Sequence, residues 1–281
     1  MASSQNIKWN EFDKRIELAF EAFGDVQSIE KVPNAGEIIL KGGEEWQVMF
    51  NGLRMKRSGY YGDWMSELIQ KLQGHHEPQE ERVFHEITNH LKNPESMIEL
   101  GAYWGWYSLW FKSRFPHAKV IVSEPDPSNL AIAAANAKEN NLEIHAELGA
   151  VAPSHMIDCN GKTKVDNDFF SVPALTVEKL MEQYKIGSLT ILHSDIQGAE
   201  FTMLEDAKSL LEARRIDYLL ISTHWDSMHE KCMSLLESCG YLIIASHTLD
   251  ESHSFDGLIA AASPTISPPS VSISHRNSAH V

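Results

Sequence analysis

From residue 93 onward, short apolar runs alternate with longer stretches in which apolar positions recur every three or four residues. The runs predict strands at 96–100, 119–124, 143–149, 188–194, 216–223, 240–246 and 256–262. Helical patterns at about 105–115, 127–140, 174–184 and 199–213 separate the first five, and another covers 228–238. Strands alternating with helices imply parallel βαβ units with right-handed crossovers. The expected fold class is therefore α/β, a doubly wound, seven-stranded, mostly parallel sheet with helices on both faces. The last two strands follow each other without a helix, which lets one run antiparallel at the edge.

Ahead of that alternation the pattern is mixed. Ile7, Trp9, Phe12, Ile16 and Phe20 recur at near-helical spacing over 7–23. Residues 37–40 and 46–50 flank Gly42-Gly43 as a β-hairpin. Helical patterns follow at about 62–73 and 79–92, the second opening at Glu77-Pro78 with proline in its first turn. Residues 1–92 read as an N-terminal helical and hairpin (α+β) cap on a domain spanning 93–262. Residues 263–281, rich in Pro, Ser and His and without periodicity, read as a disordered tail.

Composition narrows the partners. A net charge of −15 over 281 residues argues against nucleic acid, whose phosphates require clustered Lys and Arg. The one dense basic patch, Arg54, Lys56 and Arg57, reads as a solvated hairpin rim, with contact to an anionic substrate as the alternative. Three cysteines, Cys159, Cys232 and Cys239, show neither disulfide nor metal spacing and suit a reducing compartment. The start, Met-Ala-Ser-Ser-Gln-Asn, lacks a charged segment followed by an apolar one, and no apolar run approaches the ~20 residues that span a bilayer. A cytoplasmic protein with no membrane partner is expected, with a homo-oligomer left open.

The chemistry concentrates in Met97-Ile-Glu-Leu-Gly-Ala-Tyr-Trp-Gly-Trp-Tyr-Ser108. A strand runs into Glu99, a turn holds Gly101, Ala102 and Gly105, and a helix opens through Ser108. Gly101 lets the backbone turn tightly where a Cβ would clash, and Gly105 lets the new helix approach a ligand closely. A larger side chain at Gly101 is also expected to enter the ligand's approach path. The next strand ends in Glu124, 23 residues beyond Gly101 and placed to accept hydrogen bonds from a ribose diol, with Pro125 and Asp126 following. A dinucleotide site wants Gly-x-Gly-x-x-Gly to wrap a pyrophosphate, but position 103 is Tyr, and Glu99 would repel one. S-adenosylmethionine, with an ammonium, a sulfonium and a ribose, suits this pair of acids.

Ligands of open α/β sheets bind outside the carboxyl ends of the strands. Two further strand ends supply His193-Ser-Asp195-Ile-Gln197-Gly-Ala-Glu200 and Ser222-Thr-His224-Trp225. His193, Asp195 and His224 are thus the candidate catalytic set. A His beside an Asp takes the proton of an alcohol acceptor, and His224, next to Trp225 as an aromatic wall, is favoured over His193. Two His and one carboxylate also permit a divalent metal site; that alternative is weighed below the base, and no residue is assigned to metal.

These residues resemble the FkbM family of S-adenosylmethionine-dependent methyltransferases. The resemblance covers about 70–262 and rests on Met97–Ser108, on Glu124-Pro-Asp-Pro-x-Asn-Leu130 and, most specifically, on Ser194-Asp-Ile-Gln-Gly-Ala-Glu200. Gly74-His-His-Glu-Pro78 resembles an approach segment carried by some members. The resemblance implies a Rossmann-like class I methyltransferase that acts on a hydroxyl of a sugar, glycan or natural product. By position Glu99, Gly101 and Gly105 would hold the methionine end and Glu124 the ribose. Asp126 and Asn129 would lie near the adenine and ribose rim, and Asp195 beside the methyl group. Trp104 and Gln197 depart from the family pattern, and Trp104 would instead shape an acceptor pocket. N-methylation, or a catalytically silent scaffold, are the competing readings.

Overall fold

The structure, a computed structural model, describes residues 13–162 and 169–276. The helix expected over 7–23 is seen as α1 (13–21), which runs into a 3-10 turn at Ala22–Val26; its first residues lie outside the described range. The expected hairpin gains a third antiparallel strand, giving β1 (Ile38–Lys41), β2 (Glu44–Val48) and β3 (Arg54–Lys56). The two helices that follow are α2 (Asp63–Lys71) and α3 (Pro78–His90). The basic patch on β3 is neutralised: Arg54 pairs with Glu139, Lys56 with Glu44 and Arg57 with Glu45.

The alternation then runs β4 (Ser96–Leu100), α4 (Trp106–Arg114), β5 (Lys119–Glu124), α5 (Pro127–Glu139) and β6 (His145–Leu148). An unexpected small sheet interrupts it, formed by β7 (Ala150–Val151), β8 (Asp158–Lys162) and β9 (Phe169–Leu175). After it come α6 (Val177–Gln183), β10 (Leu189–Ser194), α7 (Glu200–Asp206), α8 (Lys208–Glu212), β11 (Ile216–Thr223), α9 (Asp226–Ser238), β12 (Leu242–His247) and β13 (Gly257–Ala262). The helix expected at 199–213 is two short ones meeting at Ala207.

Seven strands form the main sheet in the order β12-β13-β11-β10-β4-β5-β6. β4, β5, β6, β10 and β11 pair in parallel, as expected. The antiparallel strand is β13, and it lies inside the sheet between β11 and β12 rather than at the edge. The chain reaches the edge first as β12, then turns back through 248–256 to fill the gap beside β11. Glycine and three alanines let β13 pack flat there, with every residue buried.

Alternate side chains of each strand serve opposite faces. Met97 joins an apolar cluster with Trp106, Trp110, Phe84, Phe50 and Val26, so α1, α3 and the hairpin share one core with the sheet. Ile98 and Leu100 face the other cluster, among Leu180, Leu192, Leu204 and Ile259. Among the described residues no helix is long and apolar enough to cross a membrane.

Residues 263–276 overturn the expectation of a disordered tail; 277–281 lie outside the described range. Ile266, Val271 and Ile273 pack on the first cluster. Ser274 donates through N and Oγ to Asp25 at 3.0 and 2.7 Å, and its carbonyl accepts from Gln79. Regularly spaced apolar residues are not needed when single ones plug an existing groove. A chain ending at Ser263 should therefore melt several degrees lower, at roughly 2–4 °C per kcal/mol lost for a domain of this size. Calorimetric melting of the two chains checks this, and an unchanged Tm would show that the clasp contributes nothing.

Candidate active site

The carboxyl ends of β4, β5, β10 and β11 open into a cleft. Its lining includes Glu99, Gly101, Ala102, Ser123, Glu124, Pro125, Asp126, Asn129, His193 and Asp195, so most of the residues expected from sequence converge there. Gly105, Ser108 and His224 lie outside that lining. Gly105 is the left-handed residue (φ 76°) from which α4 starts, and a Cβ there would meet Ala133 of α5 at 3.3 Å. Ser108 is fully buried, and its backbone N–H donates to Glu99 Oε2 at 2.9 Å. Both act from behind the cleft wall.

Glu124 does two jobs. One carboxylate oxygen accepts the N–H of Tyr103 at 3.0 Å, which fixes the turn after β4. The other accepts from Asp126 N at 3.0 Å and Asn129 Nδ2 at 3.3 Å. Asp126 also caps α5 by accepting from Ser128 N at 2.8 Å. Burial pushes the carboxyls of Glu99 and Glu124 up, and their N–H donors oppose that.

Gly101 makes the tight turn expected, but an added side chain there would meet the end of β10 first rather than a ligand's approach path. With φ at +74°, a Cβ there would fall 1.8 Å from the carbonyl oxygen of Asp195. The position is sealed by the neighbouring strand end, and only glycine lets β4 and β10 stay paired beside the turn.

Sequence reasoning missed what the N-terminal segment contributes. Tyr60, Tyr61, His76, Glu77 and Glu80 line the cleft from the opposite side. Tyr60 stacks on Trp104 with ring centroids 4.8 Å apart, which puts Trp104 in an aromatic wall of this first cleft; it does not line the second, adjoining cavity. Glu80 Oε1 lies 2.6 Å from His193 Nε2, across 113 residues of chain. The signal available was Gly74–Pro78, followed directly by the acids of the first turn of α3; its partners were not visible.

A second cavity adjoins the first, walled by Arg15, Trp64, His253, Phe255 and Asp256. Both cavities share His76, Glu77, Glu80, Asp195 and Ser222. Arg15 stands over the Phe255 ring, 4.5 Å from its centroid.

His224 is placed differently from the expectation. Its Nε2 lies 3.2 Å from Asp195 Oδ1 and 3.5 Å from Asp256 Oδ1, and its Nδ1 lies 3.1 Å from Glu200 Oε1. Burial alone would lower its pKa, but Asp195, Glu200 and Asp256 together raise it to about 10. That direction disfavours it as a base near neutral pH, and Gln197 Nε2 also lies 2.8 Å from its Nε2. Trp225 does not wall the cleft: it is half exposed and its ring lies over Gly198.

Asp195, Glu200 and His224 are the one group of possible metal-binding side chains among the described residues. Glu200 already accepts from Ile196 N at 3.0 Å and Gly198 N at 3.0 Å, and the two acids face opposite nitrogens of the ring. The ring thus lies between the two acids; one cation would need a single ring nitrogen aimed at both of them. His193, the other nitrogen ligand of the expected metal alternative, is engaged by Glu80.

Residues 99–243 match the methyltransferase FkbM domain. No curated protein matches the chain. Among solved structures, a precorrin-6y C5,15-methyltransferase from Geobacter metallireducens GS-15 aligns at 14% identity and TM-score 0.44, covering 65% of this chain and 87% of that one. A SAM-dependent methyltransferase from Aquifex aeolicus aligns at 13% identity and TM-score 0.40, covering 66% and 89%. M. capricolum TrmK, solved with S-adenosyl-homocysteine, aligns at 13% identity and TM-score 0.41, covering 64% and 67%.

Proposed function

Because the chain belongs to the FkbM methyltransferase family, we propose that it transfers the methyl group of S-adenosylmethionine to a hydroxyl of a small-molecule or glycan acceptor. The observation that carries this reading is the meeting of two cavities, one at the strand ends and one under the N-terminal cap, at Glu77, Glu80, Asp195 and Ser222. The first is suited to the donor and the second to the acceptor.

The residues present fit the donor. Glu124 offers carboxylate oxygens to a ribose diol, and Glu99 offers a buried negative charge to an ammonium. The indole Nε1 of Trp106, which also lines the cleft, is buried without a partner and would donate to a carboxylate. When bound, the cofactor supplies an electrophilic methyl group. The protein's own work is alignment, exclusion of water by the aromatic wall, and removal of one proton.

The acceptor class draws support from the side cavity. Aromatic faces of Trp64 and Phe255 beside several carboxylates suit a polar ring such as a sugar. The net charge of −15 disfavours a nucleic-acid acceptor. A second reading, methylation of an amine, is favoured by Glu77, Glu80, Asp195 and Asp256 sharing that cavity with Arg15.

Calorimetry with S-adenosylmethionine tests the donor site. Glu124→Gln should weaken binding roughly tenfold to a hundredfold, the worth of a charge-assisted contact of about 1.5–3 kcal/mol. Equal affinity in the variant would remove Glu124 from the site. Release of S-adenosyl-homocysteine, followed across hydroxyl and amine acceptors, separates the two readings.

A further inference from the structure

Resting on that hydroxyl reading, we propose that Glu80 of α3 is the catalytic residue that receives the acceptor's proton, with His193 as its positioning partner. A donor in the first cavity and an acceptor in the second meet only where the two are continuous. The proton acceptor therefore belongs to His76, Glu77, Glu80, Asp195 and Ser222.

Four of the five are otherwise committed. Burial would lower the His76 pKa, but Glu77 and Glu81 raise it to about 10, so it holds its proton. Glu77 accepts the hydroxyls of Tyr60 and Tyr107 at 3.3 and 3.2 Å and faces His76 Nε2 at 3.3 Å. Asp195 accepts from Gln197 at 2.9 Å and pairs with His224 at 3.2 Å. Burial would raise its pKa, yet His224 holds it below the ordinary carboxylate value, which makes it a weak base. Ser222 is itself a donor, to Glu80 Oε2 at 3.3 Å.

Glu80 remains, and its surroundings suit the task. Its Oε1 is fixed by His193 Nε2 at 2.6 Å, and His193 is in turn packed on the Tyr107 ring at 4.4 Å between centroids. That leaves Oε2, beside the Ser222 hydroxyl, for a second donor. Burial pushes the Glu80 carboxyl up, the direction that strengthens a base, while His193 opposes it. In the reaction the acceptor oxygen bonds to the methyl carbon as the carbon–sulfur bond breaks, its electron pair staying on sulfur. The hydroxyl proton passes to Glu80 Oε2 and leaves to solvent after product release. Because Glu80 precedes the segment that matches the family, this chain would assemble its base from the cap and the sheet together.

The test uses the full chain in two measurements. In the first, ¹⁵N-imidazole NMR follows His193, assigned by its absence in His193→Gln. In the wild type it should titrate above the ordinary imidazole value. In Glu80→Gln its pKa should fall clearly, because burial lowers it and Glu80 is the strongest partner opposing that, with Glu99 and Asp195 still raising it. A wild-type value below 6.5, or no change in the variant, overturns the pairing and with it the proposal. In the second, methyl transfer to D-glucose, L-rhamnose and catechol is followed. Glu80→Gln should lower kcat roughly a hundredfold to ten-thousandfold, with S-adenosylmethionine affinity within about twofold. The loss should be smaller for catechol, whose more acidic hydroxyl needs a weaker base. Retained kcat on any probe the wild type methylates overturns the role of Glu80. A wild type that binds the cofactor but methylates none of the probes overturns the hydroxyl reading instead, and the His193 titration then decides the pair.

Discussion

Gly101→Ala should yield a protein that neither folds stably nor binds S-adenosylmethionine, the largest loss expected from any single methyl group added here. The new Cβ would sit 1.8 Å from the Asp195 carbonyl oxygen and 2.8 Å from its carbon, and both are backbone atoms that no rotamer change moves. The Asp195 N–H is held by Leu100 O at 3.0 Å, and Gly101 N–H by Ser123 O at 2.9 Å, so relief requires parting strands on both sides. The φ of +74° adds strain for any residue with a side chain. A cost above about 4 kcal/mol places the variant in the exceptional tail of single substitutions. Gly105→Ala is the control. Its closest approach is to the Ala133 Cβ at 3.3 Å, with Ala133 Cα and Leu109 at ordinary contact distance, and the left-handed conformation costs it about 1–2 kcal/mol. Circular dichroism and melting should rank Gly101→Ala far below Gly105→Ala; equal melting temperatures would show that the strand ends part easily.

Glu81→Ala should be nearly as damaging, for an electrostatic reason. Glu81 is fully buried on α3 between two histidines. One oxygen binds His75 Nδ1, and the other lies 2.8 Å from His76 Nδ1 and 3.3 Å from His76 N. Removing the carboxylate leaves buried polar nitrogens without their acceptor, a loss of about 3–5 kcal/mol for a broken buried pair. Burial would raise the Glu81 pKa, but the two histidines hold it down near 2. A lowered carboxylate pKa stabilises the fold above the unfolded value near ~4.3 and loses that contribution as pH falls toward 2. His76 works with the opposite sign. Raised to about 10, it contributes fully below its unfolded value near ~6.5 and less as pH climbs from there to 10. The wild-type Tm should thus be highest between about pH 5 and 6.5 and fall on both sides. Glu81→Ala should start lower and lose the acid limb. A variant with the wild-type Tm and pH profile would refute this account of the cluster.

The sheet was legible because most of its strands are short apolar runs set between helical patterns, signals carried by each segment alone. Residues 96–100, 119–124 and 216–223 agree residue for residue with β4, β5 and β11. Glu99 and Glu124 were legible because their meaning lies in a local strand-to-helix turn. What escaped depends on partners distant in sequence. Nothing near residue 80 announces that its carboxylate meets residue 193. Nothing near 274 announces Asp25. The strands β8 and β9 were missed because their pairing, not their apolar pattern, makes them strands. His224 was misjudged for a related reason. Its adjacent residues are neutral, while the three acids that raise its pKa come from the segment after β10, from α7 and from the turn before β13.

The position of β13 has a consequence for the order of synthesis. It is translated after every other strand of the main sheet, yet it fills an interior slot between β11 and β12. Until Gly257–Ala262 leave the ribosome, β11 displays the bare backbone edge of a strand with seven of its eight residues buried in the finished fold. Such an edge invites pairing with other chains. The slot that closes the sheet beside β11 is thus filled by the strand made last, and a chain stopped before residue 257 would leave that border uncovered.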